Sequence, residues 1–340
     1  MVWRKQQPVG CRTVTGLSSE RRLLIIFNPK AGGRRRRRFE AVLAELRRLG
    51  CELEIRETGR RGDAEQLAAS ADPTRYDALV VAGGDGTINE AVNGLNGAHL
   101  PLAIVPLGTA NILAAEIGLD TDPCSVARTI ALGRPRPISV GMANGRRFIL
   151  MAGTGFDAHV VQSVDLALKR WVGKGAYALA ILRQLFAFEF PEYVVKIDGQ
   201  TWKAASVLVA NAHYYGGRFV CAPAADLRTP SLEVCMFEHR GRLSAIGYAL
   251  ALFTGRLPGL RSYRIVSADK VQISGGDGEP VQGDGDIITH LDATIEVVPE
   301  AINLLYPPPA AGASEVEERP HALVTPSPES DQIAAYTPPR

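Results

Sequence analysis

Gly83-Gly84-Asp85-Gly86-Thr87 carries the clearest chemical signal in this chain, because it follows the apolar run Ala78 to Ala82 and leads into a helix-like stretch, Ile88 to Leu95. Glycines let the backbone take positive φ and approach a ligand, so successive N–H groups can form a nest for phosphoryl oxygens. The positive end of the following helix strengthens that nest. Asp85 could then hold Mg²⁺, or one of its waters, against the same phosphates. The competing reading is a plain strand-to-helix turn in which Asp85 or Thr87 caps the helix.

A second loop of the same kind follows. Pro101 to Val105 is another apolar strand, and Pro106-Leu107-Gly108-Thr109-Ala110-Asn111 runs from it into a helical stretch, Ile112 to Ile117. Two successive strand-loop-helix units place both loops at the carboxyl ends of neighbouring parallel strands, where open α/β sheets bind ligands. The strand Leu23 to Phe27 supplies a third loop, Asn28 to Gly33, ahead of the helical pattern Phe39 to Leu49. Thr58, between the strand Glu52 to Glu57 and a helix starting near Gly62-Asp63, is a fourth candidate.

On these residues the chain resembles the diacylglycerol kinase catalytic family, which includes bacterial lipid kinases and sphingosine kinases. The resemblance spans about Leu23 to Pro307. Its most specific parts are Asn28-Pro29 with the following glycines, G-G-D-G-T-I-N-E over Gly83 to Glu90, and P-L-G-T-A-N over Pro106 to Asn111. It implies an α/β nucleotide-binding domain of the NAD kinase and phosphofructokinase type, followed by a β-rich, sandwich-like domain. It also implies ATP contacts from Asn28, Thr58, Gly83, Gly84, Asp85, Gly86, Thr87, Ile88, Asn89, Glu90, Gly108 and Thr109, with Asp85 meeting the Mg²⁺ that ATP brings. Thr58 and Thr109 would meet ribose or phosphate, and each could equally be a helix N-cap.

Phosphoryl transfer also needs an oriented acceptor hydroxyl and a carboxylate to take its proton. Two D-G pairs are available, Asp277-Gly278 and Asp284-Gly285. The family's proposed proton acceptor lies in D-G-E, which Asp277-Gly278-Glu279 matches by letter. The downstream layout favours Asp284 instead, since a strand, Ala293 to Val298, then Pro299-Glu300-Ala301 and Leu304 to Pro307 follow it as in the family. Asp284 is therefore the expected general base alongside Asp85, with Asp286 standing where the family has glutamate and Asp277 left in a hairpin turn. Either pair also suits a simple hairpin. Bacterial relatives bind a structural Mg²⁺ through an aspartate after an A-P-x-A stretch. Here Ala222 to Ala225 is followed by Thr229 at that place, so the accessory metal is expected to be absent.

Composition sets the remaining bounds. The chain has 340 residues, 46% of them apolar, which suits two domains with well-buried cores. With 38 basic and 36 acidic residues it carries no global field that demands nucleic acid. Charge is local instead, in the run Arg34 to Arg38, which suits ATP phosphates, anionic headgroups or a solvated helix start. The five cysteines are dispersed without metal spacing, as in a cytosolic protein with reduced thiols. Residues 1–22 lack the apolar core of a signal peptide, and no apolar run is long enough to span a bilayer. Trp171 to Phe190, aromatic and aliphatic with basic flanks, suits an interfacial helix, an acyl-chain pocket or an ordinary buried helix.

The expected organisation is an extension (1–20), a nucleotide-binding domain (21–140), a β-rich lipid-substrate domain (141–306) and a disordered Pro-rich tail (307–340). Strands are expected at Glu192 to Ile197, Trp202 to Ala210, Leu232 to Phe237 and Val271 to Ile273. The function expected is ATP-dependent phosphorylation of a diacylglycerol-like or sphingoid hydroxyl by a cytoplasmic protein in peripheral contact with the membrane's inner face. The alternatives are an NAD kinase-like enzyme and a catalytically silent lipid-binding module. Neither the lipid nor the oligomeric state is fixed by the residues.

Overall fold

The computed structural model describes residues 20–30, 33–95, 100–163 and 183–308. The N-terminal extension up to residue 19, positions 171–182 of the aromatic stretch and the tail from 309 lie outside the described residues. In chain order the elements of the first half are β1 (Arg22–Phe27), α1 (Gly33–Arg48), β2 (Glu52–Glu57), α2 (Asp63–Ala69), β3 (Ala78–Gly83), α3 (Asp85–Gly94), β4 (Leu102–Pro106), α4 (Ile112–Glu116) and α5 (Pro123–Leu132). A crossover region follows with β5 (Arg134–Ala143), β6 (Arg146–Phe148), β7 (Met151–Thr154) and α6 (Phe156–Ser163). The second half contains β8 (Tyr193–Ile197), β9 (Gln200–Ala204), β10 (Ser206–Ala210), β11 (Tyr214–Tyr215), β12 (Phe219–Val220) and β13 (Leu232–Phe237). It ends with α7 (Arg242–Phe253), β14 (Tyr263–Ala268), β15 (Lys270–Ser274), β16 (Pro280–Gly283), β17 (Asp286–His290) and β18 (Ala293–Tyr306).

β1, β3 and β4 carry apolar runs, and β3 and β4 are buried along their whole length. Such runs belong to parallel strands covered on both faces. β2, β1, β3 and β4 indeed pair in that order and in parallel. The chain leaves β1 toward β2 and returns to β3 on its other side. This makes the gap between the carboxyl ends of β1 and β3 a topological switch point, the ordinary place for a ligand crevice.

The large sheet does not stop at β4. β18 lies beside it in parallel, with Leu304 opposite Leu102, and the sheet continues through β15, β8 and β9. β18 also pairs antiparallel with β5, from Ile295 opposite Ala143 to Tyr306 opposite Arg134. The sequence suggested a strand ending at Val298. The strand instead continues to Tyr306 through an irregularity between Val298 and Ile302, where Glu300 takes a φ of 47°. A bulge of this kind absorbs Pro299 without ending the strand.

A second, antiparallel sheet has the order β14-β13-β10-β7-β16-β17. One core cluster draws Tyr193, Val195 and Ile295 from the large sheet and Ala152, Val209, Val234 and Val281 from the smaller one, so the two sheets form a sandwich. The run Trp202 to Ala210, expected as one strand, divides at Ala205. β9 belongs to the large sheet and β10 to the smaller, with the Ala205 N–H bonded to the Phe237 carbonyl at 2.7 Å.

The β5-β6 hairpin fastens the sandwich to the helices of the first half. Arg146 forms a two-pronged ion pair with Glu65 of α2, both contacts 2.9 Å. Arg147 Nη1 donates to the Leu95 carbonyl at 2.7 Å and the Val92 carbonyl at 3.4 Å, closing the C-terminus of α3. Asn93 exchanges two 3.0 Å bonds with the Arg147 backbone. A cation on unmet helix carbonyls is worth more than a half-exposed ion pair. Arg147→Ala should therefore cost about 1–2 kcal/mol of stability and Arg146→Ala less than about 1 kcal/mol, read from urea denaturation midpoints.

Candidate functional site

Three loops converge at the carboxyl ends of β1, β3 and β4. Asn28 Nδ2 donates to Thr87 Oγ1 at 2.9 Å, while its Oδ1 accepts from the Lys30 N–H at 3.1 Å, so one side chain ties the first loop to the second. The second and third loops meet backbone to backbone. A Cβ on Gly84 would stand 3.1 Å from Gly108 Cα, and one on Gly108 would stand 2.7 Å from Gly84 Cα. Asn111 fixes the third loop, accepting the Gly108 N–H at 2.6 Å from a left-handed φ of 49°. Gly83 lies over Thr87, whose Cβ would be 2.7 Å from an added methyl.

α3 begins at this junction with Gly84 as its N-cap and no side chain capping it. Gly84, Gly86 and Thr87 are partly exposed. An uncapped helix start with glycines on its approach is a fitting cradle for phosphate. Thr109 lies on the rim, where Arg35 of the arginine run donates to its hydroxyl at 3.0 Å.

Several of the expected contact residues have structural duties. Asp85 accepts from Ile112 N at 3.2 Å and Leu113 N at 3.3 Å, so its carboxylate anchors the start of α4. Burial raises its pKa. Ile88 and Asn89 are buried, and Asn89 Oδ1 accepts from Asn93. Glu90 accepts from the N–H groups of Gly62 and Ala64 at the start of α2, and burial raises its pKa. Thr58 is also buried, with its N–H on the Phe27 carbonyl at 2.9 Å. A helix starting at Asp85 places 88, 91, 92 and 95 on one face, and that spacing already pointed Ile88 inward.

The second half brings the D-G-D turn to the same junction. Asp284 and Gly285 have φ of 51° and 86°, a two-residue turn joining β16 to β17. Gly278 has φ of 75°, so Asp277-Gly278 forms a turn as well. Asp284 folds its carboxylate back on the entry to β7. Oδ2 accepts from Ile149 N at 2.7 Å, and Oδ1 from Leu150 N at 2.9 Å and Met151 N at 3.1 Å. Asp286 points at the glycine loop, its Oδ2 lying 3.6 Å from the place of a Cβ on Gly86, and it pairs with Arg61 at 3.3 Å. No local pattern in the sequence marked Arg61 as its partner.

A polar chain supports this turn from below. Gln282 Oε1 accepts the Gly285 N–H at 3.0 Å and Nε2 donates to Asp157 at 2.9 Å. Tyr215 donates to the other oxygen of Asp157. Burial raises the pKa of Asp157.

Among the described residues no group of three or more His, Cys, Asp or Glu is arranged to hold a metal ion. Asp226, beside the accessory position, is engaged by Arg228 through the main chain at 2.9 Å and the guanidinium at 2.8 Å. Thr229 is exposed and its N–H bonds the Asp226 carbonyl at 2.9 Å. The Asp85 carboxylate is engaged by several main-chain N–H groups, which suits contact with a metal-bound water better than direct metal ligation.

Residues 22–143 match the diacylglycerol kinase catalytic domain, and residues 151–306 match the YegS C-terminal NAD kinase beta sandwich-like domain. The diacylglycerol kinase of Mycobacterium tuberculosis (strain ATCC 25618 / H37Rv) is 30% identical over 293 residues, 83% of this chain and 94% of that one. That of Bacillus subtilis (strain 168) is 29% identical over 274 residues, 78% and 90% of the two chains. A crystal structure of a diacylglycerol kinase from Bacillus anthracis str. Sterne superposes with a TM-score of 0.69 at 26% identity, covering 85% of this chain and 98% of that one.

Burial, reinforced by the nearby charge of Asp85, outweighs the three N–H bonds and lifts the Asp284 pKa from 3.8 to about 6. The folded chain keeps this proton through the window in which the unfolded chain releases it. Stability from this group is fully present below about pH 4 and lost as pH rises through about 6, on the order of 3 kcal/mol in all. Urea midpoints between those limits should show this fall in wild type and not in Asp284→Asn.

Proposed function

The chain belongs to the diacylglycerol kinase catalytic domain family, and from that premise we propose an ATP-dependent lipid kinase that phosphorylates the hydroxyl of a diacylglycerol-like or sphingoid lipid. The observation that carries this reading is the uncapped start of α3 at Gly84, backed by Gly108 and faced by the D-G-D turn of the second half. One side supplies main-chain donors for phosphate and the other supplies carboxylates for an alcohol.

In this reading residues 21–140 bind the nucleotide and residues 141–306 the lipid. The N–H groups at Gly84 and Gly86 hold phosphoryl oxygens, and Arg35 and Thr109 border the nucleotide. Asn28 keeps the first two loops in register. Mg²⁺ bound to the nucleotide supplies charge neutralisation at the transferred phosphoryl group. Asp284, with a pKa near 6, is ionised at neutral pH yet basic enough to take the hydroxyl proton. Its three main-chain bonds hold it in place, and one lone pair on Oδ2 stays open to the alcohol. Asp286 and Arg61 form a charged rim between the two halves.

The test is transfer of labelled phosphate from ATP to a lipid panel in mixed micelles, with NAD as a competing acceptor. Lipid product without NADP is expected. NADP without lipid product would assign the NAD kinase reaction instead, and no transfer to any acceptor would favour a silent lipid-binding module. Within this assay Asp284→Asn should lose roughly two to four orders of magnitude in kcat while retaining ATP binding. Asp277→Asn should stay within a few-fold of wild type, since Asp277 serves only its turn.

A further inference from the structure

α7 has two apolar faces. Tyr248 and Ala251 face inward, and the Tyr248 hydroxyl accepts from His239 N at 3.0 Å and donates to the Ser262 carbonyl at 2.9 Å. On the opposite side Leu243, Ile246, Leu250 and Phe253 follow one another at helical spacing, with exposures of 85%, 49%, 63% and 65%. Among the described residues nothing covers this outer face, and a helix already packed on one side is ordinarily polar on the other. Among the described residues the only other exposed large apolar side chains are Ile55 and Phe186, and Phe186 adjoins α7, with the Arg242 guanidinium 5.6 Å from its ring centroid.

Within residues 239–268 every charged side chain is basic. No aspartate or glutamate occurs between Glu238 and Asp269, whereas Arg242, Arg256 and Arg261 are exposed around the helix. The β11-β12 hairpin extends the same surface. Its Phe219 ring meets Phe253 edge-on at 4.9 Å, and Arg218 is exposed at its tip. Tyr215, on the same hairpin, bonds Asp157 beneath the D-G-D turn, which makes the face continuous with the candidate site.

We infer that the outer face of α7, with the β11-β12 hairpin beside it, is the surface by which this protein docks on an anionic lipid bilayer. Apolar side chains enter the headgroup region while a ring of arginines meets lipid phosphates, the usual division of an interfacial helix. The inference rests on the lipid-kinase reading for its choice of a bilayer over a protein partner. It places the contact on α7, while positions 171–182 of the aromatic stretch lie outside the described residues.

The test is flotation of the full chain, without nucleotide, on phosphatidylcholine vesicles with and without phosphatidylglycerol. Wild type should bind the anionic vesicles at least about tenfold more tightly than the neutral ones, and Leu250→Glu with Phe253→Glu should cut that binding by about tenfold or more. Arg242→Gln with Arg256→Gln should remove mainly the dependence on phosphatidylglycerol. Phosphorylation of a short-chain diacylglycerol present as monomers should be unchanged in the Leu250 and Phe253 variant. Wild type that ignores both vesicles, or variants that bind as wild type does, would overturn the inference. So would a wild-type dimer that the glutamate substitutions turn into a monomer, since the face would then belong to a second copy. If wild type phosphorylates monomeric diacylglycerol yet does not bind vesicles, only this surface falls. If it binds vesicles through α7 and phosphorylates no lipid, only the kinase reading falls.

Discussion

The crevice depends on two glycines from different loops touching through their backbones. Gly84 and Gly108 approach so closely that a methyl group on Gly108 would strike the Gly84 Cα and one on Gly84 would crowd the Gly108 Cα. A flexible side chain can swing away from such a clash, whereas backbone cannot without moving β3 or β4, both fully buried. The contact therefore fixes the direction of α3 and with it the direction of its first N–H groups. Asn28 and Asn111 then secure each loop with one amide side chain, so the cradle is set mostly by main chain and is rigid before any ligand arrives.

Two carboxylates close to that crevice show how position and charge are separated. Asp85 and Asp284 both satisfy main-chain donors, one at the start of α4 and the other at the entry to β7. Each thereby holds an element of its own half, and the charge of Asp85 helps raise the pKa of Asp284. Burial raises the pKa of both carboxylates. The residue that reaches across to the glycine loop is Asp286, which does so while paired with Arg61.

The sequence was most legible where a single period governed a segment. The parallel strands β1, β3 and β4 and the loops after them follow directly from apolar runs that give way to loops rich in Asn, Pro and Gly. Ile88 and Asn89 illustrate a partial reading, for the loop motif drew them into the site while the helical period of α3 buried them. The division at Ala205 was not legible, since both strands alternate alike and only tertiary pairing sends them to different sheets. The long β18 was hidden by Pro299, which a bulge accommodates. Arg61 and Arg147 find their partners across turns and sheets that no local spacing encodes.

The place of β18 has a consequence for the order of assembly. β4 pairs with β3 on one side and with β18 on the other, yet β18 is the last strand among the described residues. While the ribosome is still translating the sandwich, the nascent first half carries Leu102–Pro106 as an open, wholly apolar sheet edge. Open edges of that kind recruit strands from other chains. The native sheet is completed only when residues 293–306 emerge and insert beside β4, so the first half waits for the second to seal it.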